Sequence, residues 1–394
     1  MSRRHAAPLL ALLLAAAARP VEAQQEKMPA RWRLLPVVDP LVGGQFDLGL
    51  AVGAAYVRIA QPTRPWLTDG AASVILRYGT NGSRSLSLVM DAPGLRRGWR
   101  LLGLVRTERL LRTPYFGSRN EDRRSDSLVS LYGDIYYRYA LLRSTLYAAV
   151  QHRVAGPVWL HVAAQARHYR TSEIRQRSLY GDDVAGSLIA DTVRHNGLEA
   201  RLGAMVDTRD DWIVPTRGLF LETVASSGWL IHDPGSRANY QRFMIGGREY
   251  VPLGEKTVLA MRQRLALSRD TLPFYLAWEQ LTSWLPDDGV VGSRFVRLHR
   301  AGTRLASDDA IWSIDLRRRL VDIDVAPVPT RVWGIAFADL GLLWEPHTRP
   351  GAQQGQWTVG AGFRLQPTRA SLIGIDLGMT DIGFNLSAVS YFAF

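Results

Sequence analysis

Apolar and polar residues alternate with a period of two along most of the chain from Val42 onward, with glycine and polar clusters between the runs. That period is the signature of strands, and no long stretch carries the 3.6-residue period of a helix. The pattern is clearest near the C-terminus. In 356–366, Trp357, Val359, Ala361, Phe363 and Leu365 share one face, opposite Thr358, Gly360, Gly362, Arg364 and Gln366. In 370–379, Ile373, Ile375, Leu377 and Met379 lie opposite Gly374, Asp376 and Gly378. In 384–394, Phe384, Leu386, Ala388, Phe392 and Phe394 share a side, with Ser390 as a polar exception. Extended along the chain, the alternation predicts sixteen strands, at 42–59, 72–79, 83–90, 98–108, 127–139, 142–153, 157–168, 195–207, 217–226, 239–250, 256–268, 310–320, 331–342, 356–366, 370–379 and 384–394.

A face of Asp, Arg, Gly and Thr opposite a face of bulky apolar residues fits two all-β structures. One is a soluble sandwich with its apolar side inward; the other is a membrane barrel with its apolar side outward. Run length favours the barrel, because many runs match the ~9–11 residues of a tilted membrane-spanning strand. Aromatic residues near strand ends, among them Trp99, Trp159, Trp312, Trp333, Trp357 and Tyr391, fit interfacial girdles. An even strand count suits closure, and Phe392 and Phe394 in the last run read as a C-terminal strand signal. The fold expected is therefore a 16-stranded antiparallel transmembrane β-barrel. With the N-terminus on the periplasmic side, 169–194, 227–238 and 269–309 become external loops and 80–82, 251–255 and 367–369 short turns. Segment 109–126 breaks the rule, being long on the short side.

The 394 residues carry a formal charge of +12 and no cysteine. Arg3 and Arg4 followed by the apolar Ala6–Ala18 and the small-residue site Val21-Glu22-Ala23 read as a secretory signal, 1–23. Losing Arg3, Arg4, Arg19 and Glu22 lowers the charge to +10. Residues 24–41 read as a short periplasmic leader, and 42–394 as the barrel. No apolar stretch is long enough for a membrane helix. Absence of cysteine excludes disulfides and zinc–thiolate sites. The arginines are scattered through alternating runs, which suits a polar lumen and anionic lipid and argues against nucleic acid.

Three stretches resemble one family. Val206–Glu222 (VDTRDDWIVPTRGLFLE) resembles the Asp-x-Arg-Asp…Pro-Thr-x-Gly turn of the bacterial surface-antigen barrels, the BamA/TamA-type outer-membrane assembly factors, with Asp207, Arg209, Asp210, Pro215 and Gly218 at the matching positions. Read locally, Asp207 and Asp210 cap backbone amides, Pro215 fixes φ and Gly218 re-enters a strand. Pro114–Asn120 (PYFGSRN) is similar to a Tyr-Tyr-Gly-x-Gly-Asn stretch of these barrels, with Arg119 for the second glycine. The long aromatic segment 269–309 stands where the family has a sixth external loop folded into the lumen with a Val-Arg-Gly-Phe/Tyr tip. Here the tip is Val296, Arg297, Leu298 and His299, and Leu272–Leu281 (LPFYLAWEQL) resembles the approach to it. The resemblance implies a lumen-directed loop and work on polypeptide or lipid at the outer membrane. The periplasmic repeat domains of the assembly factors have no counterpart in the 24–41 leader.

Arg297 is the candidate lock of that loop. Asp315 lies on the polar face of its run with Ser313, Arg317 and Arg319, and is the first candidate partner; Asp339 is the second. Asp207, Asp210 and Asp211 could ligate calcium, but a capped turn accounts for them. The histidines show no metal-ligand spacing, and neither Ser172 nor Ser187 with His195 sits in a Gly-x-Ser-x-Gly elbow. No metal, cofactor or catalytic set is expected. The expected function is non-enzymatic: insertion or translocation of polypeptide or lipid at the bacterial outer membrane, with that lipid and a periplasmic or outer-membrane protein as partners. The alternative is a passive, porin-like solute channel.

Overall fold

The alternating runs assemble into one antiparallel sheet of sixteen strands. In the computed structural model the described residues are 32–42, 46, 48–61, 64–117, 125–189, 194–211, 214–232, 237–277, 279–288, 296–298, 306–325, 328–348, 355–368, 371–381 and 383–389. Residues 1–23, expected as a signal segment, and Phe392 and Phe394 lie outside them. The strands are β1 (Trp32–Val42), β2 (Leu48–Gln61), β3 (Arg64–Gly79), β4 (Arg84–Arg96), β5 (Trp99–Pro114) and β6 (Arg138–Ala155). Next come β7 (Val158–Ser172), β8 (Arg194–Asp207), β9 (Gly218–His232), β10 (Arg237–Pro252) and β11 (Thr257–Ser268). A separate two-residue pair, β12 (Glu279–Gln280) and β13 (Asp287–Asp288), lies inside the long loop. The sheet resumes with β14 (Asp308–Val325), β15 (Val328–Trp344), β16 (Gly355–Thr368), β17 (Ser371–Thr380) and β18 (Gly383–Val389). Each strand pairs with its sequence neighbour, β11 pairing with β14 across the loop, and the order runs from β1 to β18.

The faces are arranged inside out. On β8, Leu198 is 56% and Leu202 64% exposed, whereas Glu199 and Arg201 are each 2% exposed. On β14, Trp312, Ile314 and Leu316 face out while Ser313, Asp315 and Arg317 are buried. A soluble sandwich would bury the apolar row. An exposed apolar band around a polar interior is the arrangement that lipid requires.

Two elements differ from the alternation pattern, and their effects on the strand count cancel. Residues 32–41, expected as the end of the leader, form β1 with Val42. Pro36 and Pro40 disguise the strand, because proline lacks the N–H of a ladder donor; β1 stands at the end of the strand order, where proline is tolerated. Residues 127–139, expected as a strand, are instead helix α1 (Asp126–Tyr132), a 3₁₀ turn (Asp134–Tyr137) and the start of β6. Leu128, Val129 and Tyr132 of α1 pack on Phe116, Tyr136 and Tyr137, so a helical stripe had imitated alternation.

With these changes the three longest connections share one end. One end carries the segments 62–63, 97–98, 156–157, 208–217, 253–256, 326–327 and 369–370. The other carries 43–47, 80–83, 115–137, 173–193, 233–236, 269–307, 345–354 and 381–382, so the three longest lie together and the exception at 109–126 disappears, while 80–82, expected as a periplasmic turn, falls at this end because β2 and β3 are joined at 62–63. Long external loops opposite short periplasmic turns are usual for such barrels.

At the long-loop end the connections pack together. Tyr115 donates to Asp183 Oδ2 at 2.6 Å and Tyr136 to Asp182 Oδ2 at 2.8 Å. Both acceptors belong to helix α2 (Leu179–Ala185). Phe274, in the one-turn helix α3 (Phe274–Ala277), meets Tyr115 edge-on with ring centroids 4.9 Å apart. Tyr139, Tyr169, Tyr180 and Leu272 complete this apolar roof.

Candidate functional site

Loop 269–307 enters through that roof and runs into the sheet's polar face. Its base is fastened where β11 and β14 meet: the Ser268 amide donates to Asp308 Oδ1 at 2.6 Å, and the Leu272 amide to Ser307 Oγ at 2.8 Å. Two charged anchors hold the remainder.

The first anchor is Arg297. Its Nε and Nη2 donate to Asp339 Oδ2 and Oδ1, each at 2.8 Å, and Nη2 also reaches Asp315 Oδ1 at 2.6 Å. Its backbone N–H donates to Asp339 Oδ2 at 3.1 Å, and Thr358 Oγ1 donates to its carbonyl at 2.7 Å. The guanidinium lies 3.9 Å from the Phe337 ring centroid. Arg317 donates to the second Asp315 oxygen at 3.0 Å. Burial alone would lower the Arg297 pKa, but the charges of Asp315 and Asp339 and their hydrogen bonds carry it above the ordinary value. The sequence candidates Arg297, Asp315 and Asp339 are thus brought together by β14, β15 and the loop tip.

The tip keeps a glycine-like backbone without glycine. Leu298 has φ +64°, a left-handed conformation that favours glycine. Its side chain is buried with Trp333, Ile335, Phe337 and Leu372. Val296 sits over Gly341, where a Cβ would fall 2.7 Å from Val296 Cγ2.

The second anchor is Glu279, which is fully buried. Its Oε1 accepts from Arg167 Nη2 at 2.5 Å, Gln165 Nε2 at 3.0 Å and Arg201 Nη2 at 3.2 Å. Arg242 Nη2 donates to its backbone carbonyl at 2.9 Å. Glu199 bridges the same arginines, accepting from Arg167 Nη1 at 2.9 Å and Arg201 Nε at 2.6 Å. Tyr240 donates to Glu199 Oε2 at 2.6 Å. Burial pushes the Glu279 carboxyl up, but Arg167 and Arg201 outweigh it and hold the pKa below the ordinary value.

Beyond Glu279 the loop continues across the wall. Ser283 Oγ donates to Glu222 Oε2 at 2.5 Å, Gln151 Nε2 to the Ser283 carbonyl at 2.7 Å, and Tyr147 to the Trp284 carbonyl at 2.9 Å. Arg100 lies 3.5 Å from the centre of the Trp284 ring. The loop therefore touches β5 through Arg100 and β15 through Asp339, strands eight places apart in an order of sixteen. One loop can reach both only if the sheet curls around it as a barrel wall, with the loop crossing the lumen.

No protein-family model matches the chain, and no curated protein does. Among solved structures, it is similar to BamA from Haemophilus ducreyi lacking POTRA domains 1–3: TM-score 0.57 and 12% identity, covering 97% of this chain and 78% of that one. CdiB from Acinetobacter baumannii gives a TM-score of 0.49 at 10% identity, covering 91% and 66%. The translocator domain of the autotransporter NalP from Neisseria meningitidis gives 0.30 at 13%, covering 91% and 94%. This chain has the fold of a BamA-type barrel. It is a 16-stranded transmembrane β-barrel.

The motif turn joins β8 to β9 on the short-turn side. Asp207 accepts from the Arg209 backbone at 3.1 Å and from Arg209 Nε and Nη2 at 2.9 and 2.8 Å. Asp210 accepts from the amides of Thr216 and Arg217 at 2.9 and 3.2 Å. Burial would raise the Asp210 pKa, but these hydrogen bonds lower it overall. Pro215 is buried, and Gly218 has φ +105°, with an added Cβ 2.4 Å from the Thr208 carbonyl oxygen. Carboxylates engaged in this way shape a turn. Among the described residues no cluster of three or more His, Asp or Glu could hold a metal ion.

Sequence reasoning passed over Glu279 and its arginines. The signal was present: a Glu-Gln pair interrupts the apolar run LPFYLAWEQL, and Glu199 and Arg201 share the polar face of their strand. What joins them is a contact of Glu279 with Arg167, 112 residues away, and with Arg201, 78 residues away, which strand periodicity does not encode.

Proposed function

We propose that this barrel inserts or translocates a polypeptide, or lipid, at the outer membrane, with loop 269–309 as a removable plug. The observation that carries the reading is the loop's fastening to both sides of the lumen, by Glu279 to β7 and β8 and by Arg297 to β14 and β15. Buried ion pairs of this kind fix a conformation more than they add stability. They are therefore suited to a segment that must sit in one place and still be able to leave. The motif turn and the Val296–Arg297 tip resemble those of assembly factors and support the same reading. The work is non-enzymatic, and a separate periplasmic or outer-membrane protein is the proposed partner. Residues 1–23 are proposed as the export signal.

The test is single-channel conductance of the purified barrel in a planar bilayer, beside a variant lacking 272–305. A small, flickering current that becomes large and steady in the variant supports the plug. A large steady current in the intact chain overturns it and assigns a diffusion pore.

A further inference from the structure

Glu279 fills a site that holds more donors than it uses. Arg167, Arg201 and Arg242 surround it, all buried on the polar face of three strands. Arg201 and Arg242 stand in register on either side of Ser226 of β9. Against these three cations the immediate cluster offers two carboxylates, Glu199 and Glu279, an excess of one positive charge. With Glu279 withdrawn the excess becomes two. Even with Glu279 seated, Arg167 Nε, Arg201 Nη1, Arg242 Nη1 and Ser226 Oγ are buried without a hydrogen-bond partner among the described residues. Arg242 differs from the other two arginines. It makes no ion pair with a carboxylate among the described residues, and its hydrogen bond is to the Glu279 backbone carbonyl.

A structural ion pair matches charge and satisfies its donors; buried donors left over cost free energy that only another acceptor recovers. Guanidinium forks with free N–H groups are suited to carboxylates, which accept up to four hydrogen bonds in a plane. We propose that Arg167, Arg201 and Arg242 form a carboxylate-binding site of the lumen, which Glu279 occupies from within the chain. An acidic side chain or the C-terminal carboxylate of a transiting polypeptide takes the site when Glu279 leaves. Glu279 is then an internal stand-in for the ligand, and its exchange couples arrival of an acidic segment to release of the loop. The exchange is of non-covalent partners only. The inference rests on the plug reading for the direction of coupling, but the site itself is tested without it.

The test is titration calorimetry of the full-length, detergent-solubilised barrel with hexaglutamate, using hexaglutamine as the uncharged control. Folding of each variant is confirmed by its heat-dependent gel mobility. Glu279→Gln keeps the shape of the side chain and removes its charge. It is expected to bind hexaglutamate at least about tenfold more tightly than the native chain, as loss of one charge-assisted competitor requires. Adding Arg242→Gln should return binding to the native level, while hexaglutamine binds none of the three. Equal affinity in the native chain and E279Q, or equal binding of hexaglutamine, overturns the site. If the double variant does not fold, the E279Q comparison is repeated at raised salt, where an ionic site must weaken and a salt-independent affinity overturns it. Failure of the 272–305 deletion to raise conductance would remove the plug and leave this result readable.

Discussion

At the residue scale, Leu298 sets two effects against each other. Its left-handed φ costs about 1–2 kcal/mol in a residue with a Cβ. Its side chain is buried with Trp333 and Phe337, and losing a buried leucine costs about 2–5 kcal/mol. Burial wins, so Leu298→Gly should loosen the tip by about 1–3 kcal/mol despite relieving the backbone. Faster tryptic cleavage within 289–305 is the expected readout. Glu279 carries the pH dependence of the loop. Arg167, Arg201, Arg242, Glu199, Gln165 and Tyr169 face it, and its pKa lies below the ordinary 4.5. A depressed carboxyl contributes fully above its unfolded value and loses that contribution as pH falls through the folded one. Release of the loop, followed as conductance from pH 7 downward, should therefore begin only below about pH 4.5. Glu279→Gln should weaken that acidic limb, with the Arg297 anchor on Asp315 and Asp339 still in place.

At the scale of elements, the β8–β9 turn is the longest on its side of the barrel; local hydrogen bonds shape it, and its Val214 packs against the cluster around Leu298 and Trp333. Asp210 binds the amides of Thr216 and Arg217, and the Thr208 and Leu219 backbones bond across at 2.8 Å. Gly218→Ala forces a Cβ against the Thr208 carbonyl at a φ that alanine resists. The expected cost is about 1–3 kcal/mol, read as a lower melting temperature in detergent. The elements also show where alternation misleads. Helix α1 looked like a strand because its apolar residues are few and closely spaced, and β1 looked like a leader because it carries two prolines.

At the scale of the whole molecule, the chain has exchanged its inside for its outside. Outward Ile314 and inward Ser313 are adjacent on β14, so they test the membrane environment within one strand. Ile314→Arg should cost about 2–4 kcal/mol if the position lies near the mid-plane of the bilayer, measured by denaturant unfolding in lipid vesicles. An arginine at the same position on a soluble protein's exposed face would cost next to nothing, so a neutral result there would contradict a membrane-facing wall.

By itself, the sequence determined the strand period and, in the runs that became strands, the face on which each residue lies; the count of sixteen matched because the false strand at 127–139 and the missed β1 cancel. It also placed Arg297, Asp315 and Asp339 as one potential cluster, because family-like motifs and face parity are local properties of short segments. Asp207, Asp210 and Gly218 were legible for the same reason. The direction of the faces was left open, since the same alternation serves a sandwich and a barrel; the tertiary structure decided it by exposing the leucines and burying the arginines. Only the tertiary structure brought Glu279 to Arg167 and Arg201 and set Trp284 against Arg100. These contacts depend on how far the sheet curls and how the loop threads it. Curl and threading arise from the sum of fifteen strand pairings, and no single stretch of sequence carries them.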